Sequence, residues 1–361
     1  MNQPPETTTL RILDAAANRA AEALRVIEDY LRLGLDDVHL TQLAKQLRHD
    51  LQAALSAIPL RSRRAARDTA EDVGTGLTTE SESRRVDASA VASANFARLQ
   101  QSLRSLEEFA KIDHPDAATA IEQLRYRTYT LHRAVEITAD SARQLADARL
   151  YVLIDGRDSL DSFRRLAGAL VEAGVDVLQL RDKNLNDREL LARAKSLREA
   201  TRDSATLFIM NDRPDLARLA RADGVHVGQE ELSVREVRQV AGPDVLVGVS
   251  THDIAQARAA VLDGANYIGV GPTFPSTTKR FDNFAGLDFV AQVATETTLP
   301  AFAIGGIDTD NVQQVIAAGL SRVAVGGAII NANDPAAEAS QFISQLSGKA
   351  LAAGKSQPTR G

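Results

Sequence analysis

Apolar residues in the first part of the chain, from Leu10 to about Arg149, recur at helical spacing. Two such stretches consist of Leu24, Ile27, Leu31 and Leu35, and of Leu99, Leu103, Leu106 and Ala110. Residues spaced in this way lie on one face of a helix, and strand-like alternation is scarce here. The pattern predicts an all-α N-terminal domain over residues 1–147.

After residue 148, short apolar runs alternate with amphipathic stretches such as Leu160–Ala173, Arg188–Ala200 and Ile254–Asp263. The predicted strands are Leu150–Ile154, Val175–Leu180, Thr206–Met210, Gly224–Val227, Val245–Val249, Tyr267–Val270, Pro300–Ile304 and Arg322–Val325. Eight strand–helix units over about 200 residues predict an α/β domain, a parallel (β/α)8 TIM barrel, over residues 148–348. A doubly wound open sheet is the alternative. The polar tail, residues 349–361, is expected to be disordered.

The N-terminal region contains a weak internal repeat, in which residues 19–30 resemble residues 98–109. The copies share Arg, Leu, Arg and Glu at the same offsets, which places Arg25 beside Glu28 and Arg104 beside Glu107 on one helix face. We expect solvated ion pairs on a duplicated helical hairpin. The Gly-Thr-Gly of residues 74–76 suits a turn or an anion-binding loop, but it lacks the Lys-Ser/Thr of a P-loop.

Composition and charge narrow the class of protein. The chain has 361 residues, a net charge of −6, 44% hydrophobic and 4% aromatic residues, and no Cys. Disulfides, thiolate zinc sites and a Cys nucleophile are therefore excluded, and aliphatic side chains and Ala must build most of the core. A polar N-terminus without a signal core and the lack of any apolar run near the roughly 20 residues of a membrane span predict a cytoplasmic protein. The negative charge argues against nucleic-acid binding.

Polar side chains follow the second and third predicted strands, where TIM barrels carry their active sites. Alternation points Gln179, Arg181 and Lys183 to the same side of the barrel mouth, which we define as the C-terminal ends of the strands. Asn211 and Asp212 follow the third strand and suit a hard cation. Alternatively, this pair caps the next helix.

The fourth and fifth strand ends add an acidic residue, a hydroxyl and an imidazole. Glu231 is a second candidate oxygen ligand for a cation, or else a charge at the start of a helix. Ser250 can bind a substrate or cap the following helix. His252 is a candidate general base.

The last three strand ends indicate phosphate binding. A loop rich in hydroxyls, which includes Ser276, Thr278 and Lys279, follows the sixth strand, and its donors and charge suit phosphate oxygens. Strands seven and eight end in the glycine pairs 305–306 and 326–327, whose bare N–H groups can approach a phosphate closely. Two phosphate regions without an obvious nucleophile predict phosphate-ester chemistry driven by electrostatics.

Taken in order, these motifs resemble thiamine phosphate synthase over about residues 149–345. They are Gln179–Lys183, Asn211–Asp212, Gly224–Gln229, Ser250–His252, Gly271–Pro275, Thr278–Lys279 and Gly305–Ile307. The resemblance implies a transferase with Mg²⁺ as its cofactor and two small molecules as its partners. It would join 4-amino-2-methyl-5-hydroxymethylpyrimidine diphosphate to 4-methyl-5-(2-hydroxyethyl)thiazole phosphate, and release pyrophosphate through a dissociative carbocation mechanism.

The resemblance also implies a role for each site residue. Gln179 and Ser250 would contact the aminopyrimidine. The diphosphate would be held by Arg181, Lys183, Asn211 and Lys279, magnesium by Asp212 and Glu231, and the thiazole phosphate by Ser276, Thr278, Gly306, Gly326 and Gly327. The residues expected to act in catalysis are Arg181, Lys183, Lys279 and Ser250.

Three residues depart from the family's pattern. Glu231 stands where the second magnesium carboxylate is usually Asp, and its longer reach could keep the ion or bind it through water. Ser276 replaces a frequent Thr and keeps the hydroxyl, whereas Gly327 replaces a common Ser and leaves only a backbone donor.

The N-terminal region resembles the helical domain fused ahead of some bacterial thiamine phosphate synthases. The matching residues are Asn18-Arg19, Leu24-Arg25, Glu28–Tyr30, Leu47–Asp50, Asp72–Thr75 and Leu106–Glu108. That family is linked to phosphorylation of hydroxymethylpyrimidine phosphate, although no standard ATP motif is visible here.

Several alternatives stay open from the sequence. The barrel could be a thiazole tautomerase or a non-catalytic regulator that binds thiazole or thiamine phosphate. The N-terminal domain could be a structural module that drives assembly into a homo-oligomer.

Overall fold

The computed structural model describes residues 5–67, 85–275 and 285–348. Within these ranges the chain forms two compact units, one ending at Glu136 and one beginning at Ile137. No helix in the described ranges has both the length and the hydropathy of a membrane span. Three of the residues singled out above, Ser276, Thr278 and Lys279, lie outside the described residues, as do the Gly-Thr-Gly segment and the polar tail.

The first unit is helical throughout its described part, as predicted. Its elements are α1 (Pro5–Asp29), a π-helical turn (Tyr30–Gly34), α2 (Val38–Leu55), α3 (Leu60–Ala65), α4 (Ala88–Asp113) and most of α5 (Pro115–Gln144), whose residues from Ile137 onward belong to the second unit. Aspartates at the N-caps of α2 and α4 accept hydrogen bonds from Leu40 and Ala90 and so satisfy free helix N–H groups. Helices α1 and α4 pack together, and the predicted apolar stripes are buried except for Leu35, which lies beyond α1 and is only partly buried.

The sequence repeat corresponds to a repeated ion pair between helices. Glu28 on α1 is bound by Arg48 on α2, with 3.0 Å between Oε2 and Nε. Glu107 on α4 is bound by Arg125 on α5, with 2.8 Å between the same atom types. Arg104 also contacts Glu107, but the expectation of solvated pairs was wrong, because Glu107 is only 2% exposed. Neighbouring helices bury Glu107, partly bury Glu28, and supply the arginines that compensate both carboxylates.

The second unit is a closed parallel barrel, so the TIM-barrel prediction is confirmed. Its strands, in barrel order, are β1 (Leu150–Ile154), β2 (Val177–Leu180), β3 (Leu207–Asn211), β4 (Gly224–Val227), β5 (Leu246–Thr251), β6 (Tyr267–Val270), β7 (Ala301–Ile304) and β8 (Val323–Val325). Strand β1 pairs with both β2 and β8. This closure excludes the open doubly wound sheet.

Helices surround the barrel and begin at local sequence signals. They are α6 (Leu160–Glu172), α7 (Asp187–Thr201), α8 (Pro214–Ala220), α9 (Val234–Ala241), α10 (Ile254–Asp263), α11 (Gly286–Glu296), α12 (Val312–Ala317), α13 (Gly327–Ile330) and α14 (Pro335–Ser347). Capping boxes at Ser159, Asn186 and Ser233 start α6, α7 and α9. The additional short helix α13 lies directly after β8.

Aromatic rings fill the middle of the barrel, although the composition pointed to an aliphatic core. Tyr151 on β1 and Tyr267 on β6 meet across the interior, with 3.1 Å between their hydroxyl oxygens. Phe302 packs edge-on against both tyrosines, with ring centroids 5.3 and 5.7 Å away. Gly248 makes room for this cluster, because a Cβ at that position would overlap the ring of Tyr267.

Replacing Gly248 with alanine is therefore expected to destabilise the barrel by roughly 1–3 kcal/mol, the usual cost of overpacking a core. The free energy of unfolding, measured with denaturant, tests this. Gly168 on α6 is the matched control: a Cβ there has no neighbour within 4 Å, and alanine should stabilise the helix by about 0.5–1 kcal/mol. Equal effects of the two substitutions would contradict the packing argument.

Candidate active site

A chain of hydrogen bonds crosses the barrel interior just below the mouth. The Gln179 amide nitrogen donates to the Tyr151 hydroxyl at 2.8 Å, and the Tyr151 hydroxyl contacts that of Tyr267. Tyr267 contacts Nδ1 of His226 at 3.3 Å, and Nε2 of His226 lies 2.9 Å from the Ser250 hydroxyl. Gln179 and Ser250, both expected at the site from the sequence, are thus linked through three intervening side chains.

This network carries no net charge near neutral pH. Burial, with a smaller contribution from Arg181, lowers the pKa of His226 to about 4. Burial raises the pKa of Tyr151 and of Tyr267 above the ordinary tyrosine value. The imidazole is therefore neutral and both phenols keep their protons. The network therefore presents polar groups that carry no formal charge.

Charged groups lie directly beside the network at the ends of β2 and β3. Lys183 Nζ is 4.0 Å from Asp212 Oδ2. Arg181 acts electrostatically on both Asp212 and His226. Three residues predicted from two separate motifs, Arg181, Lys183 and Asp212, are therefore brought together by the barrel.

Asp182, which the sequence reasoning did not single out, holds this cationic turn in shape. Its carboxylate accepts hydrogen bonds from the backbone N–H groups of Gly156, Asn184 and Leu185 at 2.9, 2.8 and 3.1 Å. Burial raises its pKa, but the three N–H groups outweigh burial, and the net effect is a lowered pKa. Asp182 thus ties the loop after β1 to the turn that carries Arg181 and Lys183.

We expect Asp182→Ala to lower kcat/KM by about 10-fold, because the loss of these bonds, worth roughly 1–1.5 kcal/mol each, lets the turn loosen. Steady-state kinetics provide the measurement. Asp182→Asn is the matched control, since its carbonyl oxygen can still accept from the turn, and it should lie between wild type and alanine. Wild-type kinetics for the alanine variant would exclude a positioning role.

Asp212 occupies a strained position at the end of β3. Its φ is +60°, in the left-handed region that most side chains avoid. Its backbone N–H donates to His226 O at 2.9 Å, and the Asn211 amide donates to its Oδ2 at 2.7 Å. Arg213 is the N-cap of α8. The alternative that Asp212 is simply a helix cap is therefore wrong.

Glu231 lies close enough to Asp212 to influence its ionisation. Burial first, and then the charge of Glu231, raise the pKa of Asp212. The Glu231 carboxylate folds back over Gly228, where a Cβ would overlap it. Helix α9 has Ser233 as its N-cap, so Glu231 precedes the helix. Among the described residues, no group of three or more His, Asp or Glu side chains could hold a metal ion. The candidate cation ligands described at this position are the carboxylates of Asp212 and Glu231.

The glycine pair after β7 has a packing reason of its own. Gly305 and Gly306 have φ values of +103° and +63°, and a Cβ on either would overlap the segment from Pro272 to Pro275. Asn311 holds Gly306 by donating to its carbonyl oxygen at 2.8 Å. After β8, Gly326 caps α13 and Gly327 begins it.

His252, considered above as a general base, has its Nδ1 2.6 Å from the carbonyl oxygen of Gly271. This contact links the ends of β5 and β6. The imidazole therefore has a structural role at the barrel mouth.

A closed barrel whose strand ends gather two cations, two carboxylates and a neutral polar network defines a TIM-barrel enzyme that acts on phosphorylated small molecules. Residues 150–329 match the family described as thiamine monophosphate synthase, and residues 11–134 match the ThiD2 family. The chain belongs to the thiamine-phosphate synthase family.

Relatives with this name match the chain over nearly its full length. A thiamine-phosphate synthase of Rhodopirellula baltica is 47% identical over 338 residues, which cover 91% of this chain and 90% of the relative. One from Synechocystis sp. is 39% identical over 347 residues, covering 96% and 99%. A solved thiamine phosphate pyrophosphorylase from Pyrococcus furiosus is 29% identical and has a TM-score of 0.49, covering 55% of this chain and 96% of that chain.

Proposed function

We propose that the barrel joins 4-amino-2-methyl-5-hydroxymethylpyrimidine diphosphate to 4-methyl-5-(2-hydroxyethyl)thiazole phosphate, forming thiamine phosphate and pyrophosphate. The observation that carries this proposal is the juxtaposition of a neutral polar network with Arg181, Lys183 and Asp212. A neutral ring and a diphosphate attached to it need these two environments side by side. Family membership supports the same reaction.

The aminopyrimidine would lie against Gln179 and Ser250, at the two ends of the hydrogen-bond network. Because Gln179 donates through its nitrogen to Tyr151, its carbonyl oxygen is left to accept from the exocyclic amine. His226 holds the Ser250 hydroxyl from below. The network thus orients one acceptor and one hydroxyl toward the pyrimidine edge.

The diphosphate would be held by Arg181, Lys183 and Asn211, with Lys279 from the loop after β6. Asp212 and Glu231 fit a hard divalent cation, because oxygen ligands suit Mg²⁺ and their mutual repulsion falls when a cation lies between them. When bound, Mg²⁺ would supply positive charge against the pyrophosphate oxygens.

The thiazole phosphate would be placed by residues of the last three strand ends, namely Ser276, Thr278, Gly306, Gly326 and Gly327. Backbone N–H groups after β7 and β8 are the usual phosphate donors of this fold. Hydroxyls of the loop after β6 would complete the contacts.

The chemistry that this site supports is a dissociative substitution. The C–O bond to the diphosphate breaks, its electron pair leaves with pyrophosphate, and the pyrimidinylmethyl cation is captured by the thiazole nitrogen lone pair. Arg181 and Lys183 stabilise the charge that grows on pyrophosphate. His226 assists by remaining neutral, since an imidazolium at that position would raise the energy of a nearby carbocation.

Pyrophosphate release by the full-length chain tests this function. We expect release to require both substrates and Mg²⁺, with thiamine phosphate formed in equal amount. A thiazole tautomerase would need no diphosphate, and a non-catalytic regulator would release nothing. Either of those outcomes would overturn the proposal.

For the helical domain, residues 1–147, we propose phosphorylation of hydroxymethylpyrimidine monophosphate, the step that supplies the diphosphate to the barrel, residues 148–348. The match of residues 11–134 to the ThiD2 family supports it. The full-length Lys183→Ala variant, ATP and the monophosphate form the assay, because an inactive barrel lets the diphosphate accumulate. Absence of diphosphate would favour a structural or oligomerisation module.

A further inference from the structure

Arg63, on α3 of the first unit, is a buried cation. The residue is only 7% exposed. Its Nε is buried and has no hydrogen-bond partner within the part of the chain that the structure describes. A guanidinium keeps its charge at all physiological pH values, and a buried polar atom without a partner is costly and rare. Such an atom requires an explanation.

Among the described residues, the charged groups that act on Arg63 are Asp14, Arg64 and Arg67. Asp14 on α1 is 3% exposed, and its Oδ2 accepts from Arg67 Nε at 2.7 Å and from Asn18 Nδ2 at 3.3 Å. Burial lowers the pKa of Arg63. The charge of Asp14 acts in the opposite direction, and the nearby charges of Arg64 and Arg67 lower this pKa further. Within the described ranges, Asp14 is therefore the one carboxylate that acts on these guanidinium groups, and its Oδ2 is already engaged by Arg67.

The same unit contains a second buried arginine, whose charge is compensated by neighbouring side chains. Arg125 is 8% exposed, and its Nε donates to Glu107 at 2.8 Å while Nη1 reaches the Tyr129 hydroxyl at 3.4 Å. Arg63 differs, since its Nε is directed at no such acceptor among the described residues. Within the part of the chain that the structure describes, one guanidinium edge is thus available to an anion.

We infer that Arg63, with Arg67 and Asp14 beside it, forms a binding site for the phosphoryl group of a small phosphate ester in the N-terminal unit. The planar guanidinium offers Nε–H and Nη–H in a fork that matches two phosphate oxygens. Asp14 orients Arg67 next to it. The site would hold a substrate of the proposed phosphorylation, either ATP or the pyrimidine monophosphate. The inference rests on that proposed function only for the identity of this ester.

Calorimetric titration of the full-length chain with inorganic phosphate, ATP and the pyrimidine monophosphate tests the inference. Arg63→Gln should weaken one binding step by at least about 10-fold, since charged hydrogen bonds are lost. Arg61→Gln, an exposed arginine of the same helix, is the matched control and should bind as wild type does. The ester whose affinity falls in Arg63→Gln identifies the occupant. The KM of the barrel for the diphosphate should be equal in all variants.

Thermal unfolding separates ligand binding from a structural role. Without ligand, Arg63→Gln should unfold at the wild-type temperature or above, because an unpaired buried charge has been removed. Phosphate should raise the unfolding temperature of the wild type but not of the variant. Arg63→Lys is the second variant, for the case in which Arg63→Gln does not fold. It keeps the positive charge but lacks the paired N–H donors of the guanidinium, so it should fold and bind phosphate weakly.

Equal phosphate binding by Arg63→Gln and the wild type would overturn the inference, even in a chain that makes the diphosphate. A lower unfolding temperature without ligand, together with an unchanged response to phosphate, would assign Arg63 a structural role. Conversely, binding that depends on Arg63 in a chain that makes no diphosphate would support the site and overturn only the phosphorylation proposal.

Discussion

Lys183→Ala is expected to lower kcat by about 100- to 1000-fold, equivalent to roughly 3–4 kcal/mol of activation free energy. The Lys183 ammonium lies 4.0 Å from the Asp212 carboxylate, at the edge of the site where pyrophosphate charge would develop. Its attraction is strongest in the transition state, when the leaving group gains negative charge. The effect should therefore appear mainly in kcat and less in the affinity for the diphosphate.

The fold should survive this substitution. The Lys183 side chain is 63% exposed. The turn around it is held by hydrogen bonds from the backbone N–H groups of Gly156 and Asn184 to the Asp182 carboxylate. Circular dichroism and thermal unfolding should match the wild type. Lys195→Ala, which removes an exposed lysine from α7, is the control for a general loss of positive charge. Wild-type turnover by Lys183→Ala would count against the proposed diphosphate site.

Asp212→Asn is expected to lower kcat/KM by about 1000-fold, because a metal contact can contribute several kcal/mol of charge stabilisation. Asparagine is the informative replacement for this position. Like aspartate, it tolerates the left-handed conformation that Asp212 adopts at φ +60°. The variant thus removes the negative charge while keeping the backbone path at the end of β3. A larger or β-branched residue would add strain and confuse the two effects.

The measurement is the dependence of rate on MgCl₂ concentration. Asp212→Asn should need a much higher concentration to reach half of its own maximal rate, and Glu231→Gln should show a smaller shift in the same direction. Asp215→Asn, which neutralises a carboxylate bound to Arg213 at the start of α8, should keep the wild-type dependence. An unchanged magnesium requirement in Asp212→Asn would show that the metal binds elsewhere.

Much of the fold was predictable from the sequence. The predicted bounds of β1, β4 and β6 agree with the structure, and the remaining strands differ by at most two residues at either end. This agreement has a physical reason. Parallel strands buried on both faces are continuous apolar runs, and turn residues and helix caps separate them from amphipathic helices. Both signals are local.

Part of the candidate site was predictable for the same reason. A parallel barrel brings the C-terminal ends of its strands to one edge, and five site residues lie at or just after those ends, namely Gln179, Arg181, Lys183, Asn211 and Asp212. Tyr151, Tyr267 and the role of His226 were missed, since nothing in the order of residues indicates that β1 and β6 meet through their side chains across the interior. A count of ring-bearing residues at inward strand positions is the one signal that could have found them.

By itself, the sequence determined that a helical region precedes eight βα units. It also determined which polar residues lie at the strand ends. Both followed from the sequence because helix and strand periodicity depend on a few neighbouring residues. Only the tertiary structure decided that the sheet closes, that rings connect Gln179 to Ser250, and that Glu231 shifts the pKa of Asp212. The tertiary structure also decided that Glu107 is buried and that Arg63 Nε has no hydrogen-bond partner among the residues described. Burial and electrostatic coupling depend on which groups approach through space, and residues far apart in the chain supply those groups.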